Sequence, residues 1–292
     1  MVKKYFQCEA RERVKVTEYK NEMDEYWNEA GGRKWVDNLP RIEKTLEPIG
    51  RILLDTLKSE TEVKVLDVGC GGANLAADAA ILLGHGSEVI ASDISEHILN
   101  EAKRNHRGAN LKFLQCDVEN HDFDSDIFDL AVSRFGVMFF ENPLRAFTNI
   151  RRSMKKNGRL NLLVWKTFDE NLWMKIPAGA AFQVLEKPEP PQEGEPGPFS
   201  LSDSEAFKGT LAAAGFNNIT FASNKIDLNL GDLNEAVELM TQLGPAAKPY
   251  AEASNDLRNE ARQSMRAVLS EYESDVGVSL PSAFWLVRAS AL

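Results

Sequence analysis

The sequence predicts an α/β protein built on a doubly wound parallel sheet. Three observations carry this expectation. Short apolar runs alternate with helical segments between residues 63 and 166, the pattern of strands joined by crossover helices. The first run, "VLDVGCGGA" at 65–73, breaks off at an acid and three glycines, as a tight strand-to-helix turn requires. The chain has 292 residues, 43% of them hydrophobic, which suffices for a sizeable core. Short right-handed crossovers then place helices on both faces of an open sheet.

The elements follow in order. Residues 26–35 read "YWNEAGGRKW", a glycine-hinged segment between tryptophans. Over 41–58, Ile42, Leu46, Ile49, Leu53 and Leu57 recur at helical spacing, with Pro48 expected to kink or divide the helix. Strands are expected at 63–68, 88–93, 111–117 and 128–135, and helices at 73–84, closed by Gly84, and 95–105, capped by Ser95. Asn142 and Pro143 open the next helix and Gly158 marks its exit into a strand at 159–166. Five prolines in "KPEPPQEGEPGPF" (187–199) mark a stiff surface loop. "SDSE" (202–205) has capping-box form before a helix ended by Gly215. Strand follows at 218–230, an almost wholly helical stretch at 232–275, and a final strand at 282–291. The helical stretch is too long for a simple connection and must pack over the sheet's C-terminal edge.

Composition narrows the function classes. The net charge is −10, which disfavours a nucleic-acid partner. The densest basic stretch, Arg151, Arg152, Lys155, Lys156 and Arg159, reads as a solvated helix C-terminus. Cys8, Cys70 and Cys116 are odd in number and widely spaced. That argues against a disulfide framework or zinc site and for a reducing compartment. No apolar run approaches the roughly 20 residues of a membrane span, and "MVKKYFQCEA" lacks a signal-peptide core. The expectation is a cytoplasmic protein with no membrane span and no metal.

The glycine loop points to a ligand. Parallel strands end at the edge where such sheets bind ligands, and the following helix offers unpaired N–H groups there. A dinucleotide fingerprint would place its third glycine at position 74, where this chain has Asn74. Asp67, two residues before Gly69, is a poor neighbour for a pyrophosphate and a good one for a cation, such as a sulfonium bearing an α-amino group.

"VLDVGCGG" resembles the first motif of the class I S-adenosylmethionine (SAM) methyltransferases. Asp93 closing "VIASD", Asp117 in "LQCDVE", and "FDLAVSRFGVMFFENP" match further family positions in order. The resemblance covers roughly 60–230 and 282–291. It implies a seven-stranded Rossmann-like sheet with an antiparallel last strand, an N-terminal helical lid, and a helical insertion before that strand. The divisions implied are a lid at 1–58, a SAM-binding core at 59–230, a cap at 231–281 and the last core strand at 282–292. The cofactor implied is SAM, with S-adenosylhomocysteine (SAH) as product. Its contacts would come from Asp67, Gly69, Cys70 and Gly71. Asp93 and Ile94 would meet the ribose, and Cys116, Asp117 and Val118 the adenine. Ser133 and Arg134 would lie beneath the methionine end, and Trp35 would reach in from the lid. One departure is Ala73, where many members carry a further glycine; Gly72 is expected to supply the same freedom one position earlier.

Methyl transfer from a sulfonium needs a nucleophile in line with the S–CH3 bond, and orientation supplies much of the rate. No clear base presents itself. His85, His97, His106 and His121 fall at turns, loops or a helix start, leaving Arg134, Glu141 and Tyr26 as candidates. Trp27, Phe135, Met138 and Phe139 are the expected acceptor pocket, with Phe140 beside them. Leu239, Met240, Leu243 and Tyr250 would form the opposite wall. The fourth-strand stretch lacks the Asn/Asp-Pro-Pro-Tyr/Phe signature of amide and nucleobase N-methyltransferases. The pattern is similar to the group that contains quinone-biosynthesis and natural-product enzymes. The partner expected is a small, partly apolar methyl acceptor reacting through O, N or C, with a homodimer left open. Two rival readings stand beside this one: an NAD(P)-dependent oxidoreductase, and a SAM-binding module without catalysis.

Overall fold

The computed structural model describes residues 22–192 and 194–292. Cys8 and the first 21 residues of the expected lid lie outside them. Among the described residues, seven strands form the central sheet: β1 (Lys64–Val68), β2 (Glu88–Asp93), β3 (Leu111–Gln115), β4 (Phe128–Arg134), β5 (Met154–Trp165), β6 (Phe216–Asn229) and β8 (Gly277–Ala291). Their order is β3-β2-β1-β4-β5-β8-β6. The first five run parallel, and β8 is antiparallel to both β5 and β6. A two-residue strand, β7 (Glu273–Ser274), adds a small hairpin to β8. The doubly wound sheet with an antiparallel last strand is therefore as expected. Val65, Leu66, Leu130 and Ala131 are fully buried, because helices cover both faces of a central parallel strand. Strand order reverses between β1 and β4, which places the ligand crevice at their C-terminal ends.

Helices α3 (Asn74–Leu83), α4 (Glu96–Asn105) and α5 (Pro143–Ser153) connect the parallel strands. Their starts are written in single residues: the Ser95 hydroxyl accepts from Ile98 N–H and the Asn142 side chain from Arg145 N–H. The helix α7 (Ser204–Ala213) is capped by Asp203, whose side chain accepts from Glu205 and Ala206 N–H, and not by Ser202.

Other expectations need correction. Helix α1 (Glu22–Asn28) is followed by α2 (Ala30–Asp55), which runs unbroken through Pro40 and Pro48. Its stripe of Leu39, Ile42, Leu46, Ile49 and Leu53 is buried. Burying these five side chains contributes roughly 7–15 kcal/mol, enough to hold one helix against about 3 kcal/mol per interior proline. The hinge lies at Glu29 (φ −116°, ψ −116°), and Gly31 and Gly32 sit inside the first turn of α2. A Cβ at Gly32 would lie 1.9 Å from the Trp27 carbonyl oxygen, so the glycine serves the close packing of α2 on α1. Helix α5 ends at Ser153, and β5 begins at once. Gly158 belongs to a register shift in β5, where a Cβ would stand 2.9 Å from Lys155 O. The basic stretch is divided accordingly, pairing Arg152 with Asp122, Lys155 with Asp129 and Arg159 with Glu60.

Helix α6 (Leu172–Ala181), with Pro177 inside it, has no counterpart in the sequence expectations. β8 starts at Gly277, five residues earlier than expected. Pro281 is tolerated because β5 pairs only with Phe284–Ser290, leaving Pro281 with a single neighbour at Asp227. The stretch before β7 folds as α8 (Leu233–Gln242), α9 (Ala247–Glu252) and α10 (Asn255–Leu269); α10 packs on α6 and α8. Among the described residues, no helix is long and apolar enough to cross a membrane.

The exits of β1 and β4 touch backbone to backbone. A Cβ at Gly136 would lie 2.6 Å from Val68 O and 2.8 Å from Gly69 Cα. Gly136→Ala is expected to cost about 2–3 kcal/mol, because neither neighbour is a movable side chain. Urea unfolding of the variant beside the parent measures it.

Candidate active site

A cavity of ≈ 790 Å³ opens at the C-terminal ends of β1, β2 and β4. Its floor is the turn after β1. Gly69, Gly71 and Ala73 adopt left-handed backbone (φ 65°, 56° and 59°). Gly72 does not, so it does not substitute for the missing glycine as expected. Ala73 takes that conformation itself, at a cost of roughly 1–2 kcal/mol.

Asp67 at the end of β1 lines the cavity, is 1% exposed, and has no hydrogen-bond partner at either carboxylate oxygen. Burial pushes its pKa up to about 7. The Arg134 guanidinium opposes this, while Asp93 and Glu43 reinforce it. Asp93 closes β2, accepting from Gly71 N–H and Ser95 N–H at 2.9 Å each. Burial raises it to about 6 against these bonds. Ile94 lines the cavity beside it, and beyond β3 so do Cys116, Asp117 and Val118. Asp117 also holds its own turn, accepting from Glu119 N–H at 2.9 Å and Asn120 Nδ2 at 2.5 Å. Burial raises the Cys116 thiol to about 12 and the Cys70 thiol well above its ordinary value. Neither is a thiolate nucleophile.

Helices α1 and α2 form the roof. The Asn28 side chain accepts from Glu96 N–H at 2.8 Å and Ser95 Oγ donates to the Trp27 carbonyl at 2.7 Å, which docks the α1–α2 joint on the start of α4. Trp27 meets Tyr26, Trp35 and Phe139 edge to face, with centroids 5.1–5.8 Å apart. The Trp35 indole nitrogen is buried without a partner and lies 3.4 Å from where a Cβ on Gly71 would stand.

The remaining expected residues divide. Phe135, Met138 and Phe139 line the cavity. Phe135, at φ 68°, stacks on Trp165 with centroids 3.8 Å apart and planes at 11°. Ser133 stays out of the cavity: its hydroxyl donates to Val68 O at 2.7 Å and accepts from Gly136 N–H at 3.1 Å, tying β4 to β1. Glu141 also stays out, accepting from Met23 N–H at 3.2 Å. Arg134 lines the cavity, but its Nη2 donates to both oxygens of Glu43 at 2.6 and 2.7 Å, a pair only 9% and 10% exposed. It is a fixed cation and no base. Tyr26 lines the cavity near its opening and is half exposed. None of the four histidines lines the cavity; His106 pairs with Asn74 at 3.2 Å.

Several lining residues lay beyond the sequence expectations. Trp173 and Met174 come from α6, Phe168 from the turn before it, and Trp165 from the end of β5. The proline-rich segment is no mere surface loop, since Lys187–Pro191, Pro198 and Phe199 wall the cavity. Leu239 and Leu243 reach it as expected, whereas Met240 and Tyr250 do not line it. Glu43 had a legible signal: an acid one residue from the Ile42–Leu46 stripe. Among the described residues, no cluster of three or more His, Cys, Asp or Glu could hold a metal ion.

Residues 66–162 match the family model described as "Methyltransferase domain". An uncharacterized protein of Mycobacterium tuberculosis (strain ATCC 25618 / H37Rv) is 24% identical over 239 residues, 80% of this chain and 84% of that one. A malonyl-[acyl-carrier protein] O-methyltransferase of Paenibacillus sp. (strain JDR-2) is 29% identical over 167 residues, 54% of this chain and 57% of that one. Among solved structures, phosphoethanolamine N-methyltransferase 2 of Haemonchus contortus in complex with SAM superposes with TM-score 0.57 at 16% identity. It spans 92% of this chain and 59% of that one. Residues 66–162 carry a methyltransferase domain, and the fold is one that the SAM-bound Haemonchus enzyme shares.

The two raised carboxyls set a pH dependence. Unfolded Asp titrates near 3.9, so between roughly pH 4 and 7 the folded protein holds protons that the unfolded chain releases. Their contribution is full below pH 4 and is lost as pH rises through 6 and 7. At about 1.4 kcal/mol per unit, Asp67 accounts for a loss on the order of 2–4 kcal/mol. Urea unfolding at pH 5 and pH 8 should show Asp67→Asn losing less stability over this interval than the parent.

Proposed function

We propose that the protein transfers a methyl group from SAM to an oxygen, nitrogen or carbon nucleophile of a small, partly apolar molecule by direct in-line displacement. One observation carries this reading. The cavity has two unlike ends: an unpartnered carboxylate and an unpartnered indole N–H beside a glycine turn, and a chamber of aromatic rings.

The first end fits an amino-acid group. Asp67 can accept from an ammonium and Trp35 Nε1 can donate to a carboxylate. Without a ligand both groups are buried and unsatisfied, which costs about 1–3 kcal/mol each. Asp93 would accept from the ribose hydroxyls, with Ile94 beside it. Cys116, Asp117 and Val118 would face the adenine. Bound there, SAM supplies an electrophilic methyl on a positively charged sulfur with a neutral leaving group. The chain's own residues hold and orient the reactants and exclude water. No described histidine reaches the cavity, which supports a mechanism of positioning over one of proton transfer by imidazole.

The second end supports an apolar acceptor. Phe135, Met138, Trp165, Trp173 and Leu239 line it, and such closed apolar pockets suit small molecules. The relatives' names include an oxygen and a nitrogen acceptor, and the reading keeps carbon beside them. The lid at 1–58, the cap at 231–281 and the last strand from 282 are proposed as units around the 59–230 core. The charge of −10 supports a reading without nucleic acid, and the cytoplasm is the compartment proposed. A homodimer is the assembly to test.

Calorimetric titration with SAM, SAH, NAD and NADP tests this. SAM and SAH are expected to bind in the micromolar range, Asp93→Ala to weaken both at least about tenfold, and Trp35→Phe to weaken them about fivefold, as the loss of one hydrogen bond predicts. Binding of NAD or NADP in place of SAM would overturn the reading.

A further inference from the structure

Among the described residues, Arg134 and Glu43 form the one ion pair whose side chains are both about nine-tenths buried, and it stands in the wall of the cavity. Arg134 is the last residue of β4. Val132, two residues earlier, is in register with Asp67 on β1. The guanidinium crosses α2 at Gly50, where a Cβ would lie 3.3 Å from Nη1, and Glu43, two turns earlier on the same helix face, holds Nη2 through both oxygens. A salt bridge this buried gains little stability over apolar packing. Its placement gives it another use. Asp67 is the unsatisfied carboxyl of the cavity, and the charged or ionisable groups that act on it are Arg134 from β4, Asp93 from β2 and Glu43 from α2, with the Cys70 thiol beside it. Arg134 is the cation of that set. Glu43 limits its effect by neutralising part of its charge.

We propose that Arg134, restrained by Glu43, is a positioning residue that sets the charge of Asp67, and thereby the pH above which the cavity accepts the cationic amino-acid end of the methyl donor. The proposal rests on the role given to Asp67 above. Ionised Asp67 attracts an ammonium, whereas protonated Asp67 is a neutral hydroxyl donor that does not. The pair works as a two-part setting: the cation favours the ionised carboxyl and the acid opposes it. Because Glu43 belongs to α2, the helix that also carries Trp35, the setting is complete only with α2 seated on the sheet.

Two measurements test this. The first is 13C NMR titration of the Asp67 carboxyl in the ligand-free protein, assigned with Asp67→Asn. Arg134→Gln is expected to raise its midpoint by about one unit or more, Glu43→Gln to lower it, and Arg134→Lys to restore most of the parent value. The second is calorimetry with SAM, in which the acidic limb of the affinity profile should move by the same amounts and in the same directions. The ligand's own amino group titrates near 8 in every case and drops out of the comparison. Opposite shifts for Arg134→Gln and Glu43→Gln support the proposal, and loss of packing does not produce them. Midpoints that stay in place, or that move the same way in both variants, overturn it. Should Arg134→Gln fail to fold, a lowered midpoint in Glu43→Gln supports the proposal and an unchanged one overturns it. Failure of the parent to bind SAM would count against the proposed function, while the NMR titration would still decide the electrostatic claim.

Discussion

The approach of the chain after β1 to the chain after β4 is the constraint on which the site depends. Gly69 and Gly136 meet with no room for a Cβ on either side, and the Ser133 hydroxyl bridges Val68 O and Gly136 N–H across the gap. This contact brings the two strand exits together at the point where strand order reverses. It turns the glycine loop toward Asp93 and directs Phe135 and Met138 into the same cavity that Asp67 lines. Left-handed backbone at Gly69 and Phe135 is the local cost of that geometry.

Electrostatic tension at the floor follows from this closeness. Asp67 and Asp93 leave adjacent parallel strands and are both buried. Asp93 is compensated by two backbone N–H groups, whereas Asp67 has none. A structure optimised only for stability would have paired it or replaced it. The unsatisfied carboxyl, the unsatisfied indole of Trp35 and the strained Ala73 lie within one turn of chain or its immediate cover, the kind of local conflict with stability on which the proposed binding role rests.

The apolar end of the cavity is assembled differently. It draws on the end of β5, on α6, on the proline-rich segment and on the end of α8. Gly197 N–H and Ser200 Oγ both donate to the Met138 carbonyl, at 3.0 and 2.6 Å, so the proline-rich segment is fastened to the turn after β4. Small changes in these connections would reshape the chamber without touching the glycine loop, which accords with one sheet serving many acceptors.

The sequence by itself determined the alternating core. Apolar strands, the glycine turn, and the caps Ser95 and Asn142 are local signals, because strand period, left-handed turns and helix starts depend on a few neighbouring residues. It also placed Asp67, Asp93 and Asp117 at strand ends, since a parallel sheet gathers its strand ends on one edge. Only the tertiary structure decided the rest. Pro48 stays helical because a buried stripe outweighs a local breaker. Gly158 and Pro281 serve sheet geometry that no local window contains. Ser133 and Glu141 turn away from the cavity to bond backbone groups, while Glu43, Trp165 and Trp173 enter it from segments distant in sequence. A side chain's role in a site depends on where its neighbours carry it, and those neighbours are set by long-range packing.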